Sequence, residues 1–327
     1  MHFVFKARQG EDAASKQRDN SKPTRRQLHG VSKQMNGDRR GDIFSELPHI
    51  LVLVLLLFVL LLVVTKFKYV HCSQIPQWCS VYCTVTGSSR VAIITGDTGD
   101  TGQGDGNQLE RLLNQNRLQT LVTRLRMGEL SAGLLEDYEL VVLTNAKNVS
   151  LGQALALLEY INKGGSVLWE GDALTSYNFT EADQFLLAAE NRSKPGTYEA
   201  YVRLFNNTKG YGFGFVGQNL GLGFVQILQT DNASITSTGA GRFRSVKDHL
   251  MTSGIKNFEF IVPLPFAQVV EDPKLFTKIA VMNGTRKEYP LLLERKTAGR
   301  IVYTAIPLEY IDSKTLLLNV FDYLVTC

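Results

Sequence analysis

Ser150-Leu-Gly-Gln-Ala-Leu-Ala-Leu-Leu-Glu-Tyr-Ile-Asn-Lys-Gly-Gly-Ser-Val-Leu-Trp169 is the stretch from which the fold class can be read. Ser150 with Gln153 three residues on is a capping-box pair, each side chain able to bond the other's backbone N–H. Leu151, Ala154, Leu155, Leu158 and Ile161 fall at the spacing of one helical face. Lys163 suits the negative end of the helix dipole, and Gly164-Gly165 supplies the backbone freedom that ends a helix. The chain then enters Ser166-Val-Leu-Trp169, too short for another helix and rich enough in apolar residues for a buried strand. A helix that returns directly into such a strand is the repeating unit of a parallel sheet covered by helices.

The same alternation recurs on both sides of this stretch. Val91–Thr95 predicts a buried strand, Asn107–Asn116 a helix, Leu118–Leu125 a second strand and Leu140–Leu143 a third. Downstream, a helix is expected over Glu181–Ala189, and Gly210–Gly217 and Gly221–Val225 alternate like strands or closely packed backbone. Further strands are expected at Phe258–Pro263, Lys278–Met282, Leu291–Arg295 and Arg300–Ile306. A last helix, Ser313–Leu324, turns Leu316, Leu317, Val320, Phe321 and Leu324 to the core. The expected fold is α/β, a flavodoxin-like three-layer domain with a mostly parallel sheet, over residues 89–327.

The region before it is of another kind. Ile50–Val64 is fifteen residues without a polar side-chain atom. At 1.5 Å per residue it spans about 22 Å, and its flanks, with Lys66 and Lys68 snorkelling outward, bring it toward the roughly 30 Å hydrocarbon core. Residues 48–70 are therefore expected to be a transmembrane helix. The absence of a small-x-small cleavage pattern after Val64 favours an uncleaved signal-anchor over a removed signal peptide. Residues 1–47 form an expected disordered basic tail, and 71–88 a cysteine-containing stalk. Of the 35 Lys/Arg and 31 Asp/Glu, ten and six fall within the first 49 residues, leaving 25 of each beyond. The chain beyond residue 49 is thus neutral, which argues against a domain with the basic face that nucleic-acid binding requires; the bilayer is the expected partner, with a protein or glycan ligand beside it.

The basic leader favours a cytoplasmic N-terminus. Asn148, Asn178, Asn191, Asn206, Asn232 and Asn283 each begin an Asn-x-Ser/Thr triplet, candidate glycan acceptors on an exported domain. Cys72, Cys79 and Cys83 cluster past the span, and the fourth cysteine is Cys327. In an oxidising compartment Cys79 with Cys83, or Cys72 with either, can close a small loop. A metal site on these cysteines and His71 is the alternative, although the spacing is not a standard zinc pattern.

Taken together, Arg90-Val-Ala-Ile-Ile-Thr-Gly96, Leu134-Leu-Glu-Asp-Tyr-Glu-Leu-Val-Val-Leu-Thr144, Leu158–Asp172, Asp248-His-Leu-Met-Thr-Ser-Gly-Ile255 and Gly299-Arg-Ile-Val-Tyr-Thr-Ala305 resemble the class I glutamine-amidotransferase-like superfamily, in particular its trehalose-utilisation-like branch. The resemblance implies the three-layer fold above. In catalytic members it also implies a Cys at a sharp strand-to-helix elbow, assisted by a His and an acid. Here the matching elbow is Trp169-Glu170-Gly171-Asp172-Ala173, no Cys lies between residues 84 and 326, and His249 is the only His beyond His71. A Gly-x-Ser-x-Gly elbow is also absent. No catalytic residue is assigned, and a non-catalytic binding or envelope-assembly role is expected over an enzymatic one.

Ligands of open α/β sheets bind beyond the carboxyl ends of the strands. Those ends offer Asp97, Asn145, Glu170 and Asp172 as candidate ligand-binding residues. They are joined by the loop Gly96-Asp-Thr-Gly-Asp-Thr-Gly-Gln-Gly-Asp-Gly106. Asp97, Asp100 and Asp105 would repel a phosphate, and the loop has no P-loop Lys. Hard oxygen ligands suit a divalent cation such as calcium, with Asp97, Asp100 and Asp105 as its candidates; no other cofactor is expected. The competing use of these side chains is capping turns and helix starts. The alternative function is a carboxylate- or metal-dependent hydrolase working through Asp97, Glu170 or Asp172.

Overall fold

The computed structural model describes residues 42–66, 75, 78–116, 120–178, five positions between 181 and 188, 213–230, 241–260, 263–283 and 287–325. The chain divides into two units, Met1–Leu55 and Leu56–Cys327. Helix α1 (Asp42–Lys66) begins in the first and ends in the second. Pro48–Lys66, 19 residues, is the one described helix long and apolar enough to cross a membrane. Within the first unit Leu51 and Leu53 are 62% and 66% exposed, a surface that water does not favour.

In the second unit the end of α1 is fastened by helix α2 (Trp78–Thr86), which lies within the expected cysteine-containing stalk. Trp78, Tyr82 and Cys83 pack against Phe58, Leu61, Leu62 and Ile75. The Trp78 ring meets Phe58 edge-on at 5.6 Å, and its Nε1 donates to Thr65 Oγ1 at 2.9 Å. Cys83 is disulfide-bonded; Cys72 and Cys327 lie outside the described residues.

The strands are β1 (Ser89–Thr95), β2 (Thr120–Arg126), β3 (Leu140–Leu143), β4 (Asn148–Ser150), β5 (Ser166–Glu170), β6 (Ser176–Asn178), β7 (Leu222–Gln229), β8 (Arg242–Ser245), β9 (Phe258–Glu259), β10 (Pro265–Glu271), β11 (Thr277–Asn283), β12 (Glu288–Lys296) and β13 (Arg300–Thr304). The main sheet runs β2-β1-β3-β5-β13-β12-β11-β8-β9. From β2 to β13 every pairing is parallel; from β13 to β9 every pairing is antiparallel. The fold is therefore α/β with a mixed sheet. Its central strands are covered on both faces, which is why they read as continuous apolar runs rather than alternating ones: Val91–Ile94 and Leu140–Leu143 are wholly buried. Edge strand β2 is instead buried only at Thr120, with Leu121 exposed. Two small sheets, β7 with β10 and β4 with β6, complete the described strands.

The helices are α3 (Gly106–Asn116), α4 (Ala132–Leu135), α5 (Leu151–Asn162), α6 (Gly214–Leu220) and α7 (Lys314–Leu324). In α5 the capping box forms as expected: the Ser150 side chain accepts from Gln153 N, and Gln153 Oε1 from Ser150 N. Its buried face is rotated, however, to Leu151, Ala154, Ala156, Leu157, Tyr160 and Ile161, leaving Leu155 and Leu158 half-buried. Tyr160 is responsible, because its hydroxyl reaches the carbonyls of Tyr138 and Ser166 at 3.0 and 3.3 Å and draws that side inward. Helix α7 buries all five expected apolar residues.

Gly210–Gly217, which alternates like a strand or closely packed backbone, is helical where it is described beyond Phe213. Residues 214–220 are helical and end on Gly221 at φ +79°, a left-handed cap that follows a helix rather than a strand. Most of the expected helix Glu181–Ala189, and the sequon residues Asn191, Asn206 and Asn232, lie outside the described residues. Asn148 and Asn283 are half-buried in β4 and β11, and Asn178 ends β6.

Candidate functional site

In the parallel half the strand order reverses at β1, between β2 and β3. A crevice beyond the carboxyl ends of strands at such a reversal is where open α/β sheets take ligands. The structure brings Asp97, Asn145, Glu170 and Asp172 to that end, because each directly follows or closes β1, β3 or β5. It also brings a residue that the sequence pattern did not single out. Glu309, in the short 3-10 turn Leu308–Tyr310 after β13, lies beside Glu170, since β13 pairs with β5.

The crevice is filled by the chain's own loop 96–105. Asn145 N donates to the Gln103 carbonyl at 2.6 Å and Gly96 N to the Asn145 carbonyl at 2.7 Å. Gln103 N donates to Asp172 Oδ1 at 2.6 Å, Gly104 N to the Tyr310 hydroxyl at 3.2 Å and Asp105 N to Glu309 Oε1 at 2.5 Å. Gly104 is required: at φ +113°, a Cβ would come within 2.0 Å of Thr144 Oγ1. On the elbow, Gly171 at φ +56° would set a Cβ 2.6 Å from Gln103 Oε1. The chain thus turns sharply at Gly171, directly after Glu170 closes β5.

Beneath the loop lies a buried carboxyl pair. Glu170 is 0% exposed and Glu309 5%. Glu170 Oε1 accepts from Leu308 N at 3.1 Å, and Glu309 Oε1 accepts from Thr144 Oγ1 at 3.3 Å. The Oε2 atoms of both, and both amide atoms of Gln103, are buried without a partner among the described residues. Burial first, and then the Glu309 charge, hold the Glu170 carboxyl well above the usual range; burial raises Glu309 as well. One proton shared between two adjacent carboxyls relieves their repulsion. Asp172 is also raised by burial, against the opposing pull of the Gln103 N–H and of Lys147, 3.7 Å away.

The aspartates proposed for a cation are otherwise engaged. Asp97 Oδ1 accepts from Gly128 N at 3.1 Å. Asp100 accepts from Gly102 N and Asn148 N at 3.1 and 2.9 Å, and Asp105 Oδ1 from Asn107 N and Gln108 N at 2.9 and 3.1 Å. Asp97, Asp100 and Asp105, the cation candidates, thus each cap a different turn or helix start. Among the described residues no group of three or more His, Cys, Asp or Glu is placed to hold a metal. His249 is directed elsewhere. Its Nδ1 accepts from Met251 N at 3.3 Å, its Nε2 lies 3.5 Å from Glu294 Oε2, and Tyr323 donates its hydroxyl to the same carboxylate. Burial raises the Glu294 pKa, but these two donors outweigh it and the net direction is down.

Glu309 had one available signal. Arg300–Ile306 reads as a strand, and Pro307-Leu-Glu309 follows its carboxyl end, where the same rule that selected Glu170 applies. What the sequence does not reveal is that this strand runs parallel to β5 beside it.

No family model and no curated protein matches the chain. Among solved structures, it is similar to a ThuA-like protein from Bacteroides uniformis, at 12% identity over 73% of this chain and 92% of that one, with a TM-score of 0.46. It is similar to the mmIFT52 N-terminal domain at 11% identity, 72% and 97% coverage and a TM-score of 0.47. It is also similar to the β-galactosidase from Bacillus circulans sp. alkalophilus at 13% identity and a TM-score of 0.47, over 74% of this chain and 32% of that one. These likenesses are low in both identity and TM-score, and no activity is drawn from them.

Proposed function

We propose that this is a single-pass membrane protein, N-terminus inside. Pro48–Lys66 tethers a non-catalytic, flavodoxin-like and amidotransferase-like domain that binds a protein or glycan, or supports envelope assembly, outside the membrane. The observation that carries the non-catalytic part is the filled crevice. Where enzymes on such sheets admit substrate, loop 96–105 donates three backbone N–H groups to Asp172, Tyr310 and Glu309. Glu170 beneath it is out of solvent. The tether rests on a helix whose apolar side chains are exposed over most of its length, and the direction on the basic leader and the sequons. The test is expression in a glycosylating membrane system. The chain should resist alkaline extraction and acquire glycans beyond residue 70, whereas release by alkali would end the tether reading and modification ahead of the span would reverse its direction.

One observation favours the second reading, a carboxylate-dependent hydrolase. Glu170 and Glu309 form a carboxyl pair of raised pKa, the property of a general acid. That role needs loop 96–105 to withdraw. Turnover of glycoside or ester substrates by wild type, abolished in Glu170→Gln, would establish it; no turnover across such a panel would remove it.

A further inference from the structure

At the end of the sheet opposite Glu170, the approaches to β1, β3 and β5 line a cleft of about 850 Å³. Lys66, the last residue of α1, and Tyr82 of α2 form part of its wall. Six charged residues line it: Lys66, Arg90, Lys163, Glu136, Asp137 and Glu139. Their formal charges cancel. Lys163 is spent on Glu136 and Glu159, at 2.6 and 2.7 Å, and Glu139 accepts from the Ser89 hydroxyl at 2.5 Å. The side chains of Lys66, Arg90 and Asp137 make no hydrogen bond or ion pair among the described residues. The cleft thus offers two cationic groups and one carboxylate to a ligand.

Its position says where that ligand would come from. An apolar helix ending in Lys, with Trp78 and Tyr82 packed beside its end, is the pattern found at the headgroup level of a bilayer. Val59, Leu60 and Val63, up to about two turns earlier, are 47%, 57% and 45% exposed and would lie along acyl chains. A headgroup entering the cleft from that bilayer meets Lys66 first.

We propose that this cleft binds the headgroup of a zwitterionic phospholipid carrying a primary ammonium. Lys66 and Arg90 meet its phosphodiester, and Asp137 accepts from its ammonium. Guanidinium and ammonium donors are suited to phosphate oxygens. Asp137, the carboxylate left without a partner among the described residues, disfavours a headgroup that carries no cation of its own, and a quaternary amine has no N–H to give it. The proposal rests on the membrane reading above.

The full chain is placed in nanodiscs of equal parts phosphatidylcholine, phosphatidylethanolamine and phosphatidylglycerol, and lipid retained after mild detergent exchange is quantified by mass spectrometry. Phosphatidylethanolamine should be enriched about tenfold over both others, the change that one charge-assisted hydrogen bond supplies. Asp137→Ala should abolish the preference and Arg90→Ala should lower retention of all three lipids, both being at exposed positions and neither lowering Tm, while Lys247→Ala at an exposed position outside the cleft should change neither. Equal retention of the three lipids, preference for phosphatidylglycerol, a preference that survives Asp137→Ala, or retention unchanged in Arg90→Ala overturns the proposal. Vesicle flotation separates the two readings: a chain that fails to float refutes the tether, and one that floats without lipid preference refutes the cleft alone.

Discussion

Glu170 closes β5 and Glu309 follows β13, and because these strands pair in parallel the two carboxyl groups are buried side by side. Both are held above the ordinary glutamate range, Glu170 by burial and then by the Glu309 charge, Glu309 by burial. The folded chain therefore keeps a proton that the unfolded chain releases. This contribution to stability is complete below the usual glutamate pKa and is lost as pH rises through the raised folded value.

Glu170→Gln supplies a permanent donor in place of that proton. Thermal melts of the detergent-solubilised chain should show wild type losing stability above about pH 5, by about 1.4 kcal/mol for each pH step between the unfolded and folded values, and the variant losing less. Parallel pH profiles for the two proteins would contradict the shared proton. Glu170→Ala, which leaves Glu309 buried without its partner, should cost about 2 kcal/mol.

Gly104→Ala should be much more damaging than Gly99→Ala. Both glycines have positive φ, +113° and +92°, but a Cβ at Gly99 meets nothing within 4 Å whereas one at Gly104 strikes Thr144 Oγ1. Backbone strain alone costs about 1 kcal/mol; the collision should add about 2 kcal/mol more. Urea denaturation measures both, and equal losses would mean that the loop does not hold this position.

Asp172→Ala removes the acceptor for Gln103 N. Hydrogen exchange at the Gln103 amide should accelerate about tenfold or more, in line with the loss of one charge-assisted bond. Asp172→Asn, which keeps an acceptor oxygen, should change it less. Unaltered protection in the alanine variant would show that the loop is held by its other bonds.

Ser150→Ala should cost about 1 kcal/mol by uncapping α5. Gln153→Ala should cost more, because Gln153 Oε1 accepts from Ser150 N and its Nε2 donates to the Met127 carbonyl at 2.9 Å. The reverse order in chemical denaturation would show that the bond to Met127 contributes nothing.

The sequence alone determined what local chemistry determines. Ser150 and Gln153 could be read as a cap because the residues that bond lie three apart. Val91–Ile94 and Leu140–Leu143 could be read as central strands because burial on both faces leaves no polar alternation. Pro48–Lys66 stood out because such an apolar run is costly in water. That no Cys lies between residues 84 and 326 could be read directly. The tertiary structure decided what depends on residues brought together by strand order. It placed Glu309 beside Glu170, set the loop's N–H groups on Asp172, Tyr310 and Glu309, and turned the sheet antiparallel after β13. It also rotated the buried face of α5 toward Tyr160, whose partners Tyr138 and Ser166 lie outside the helix. A residue's own pattern carries its secondary structure, but the partner of a buried carboxyl is chosen by topology, and no spacing in this chain records that choice.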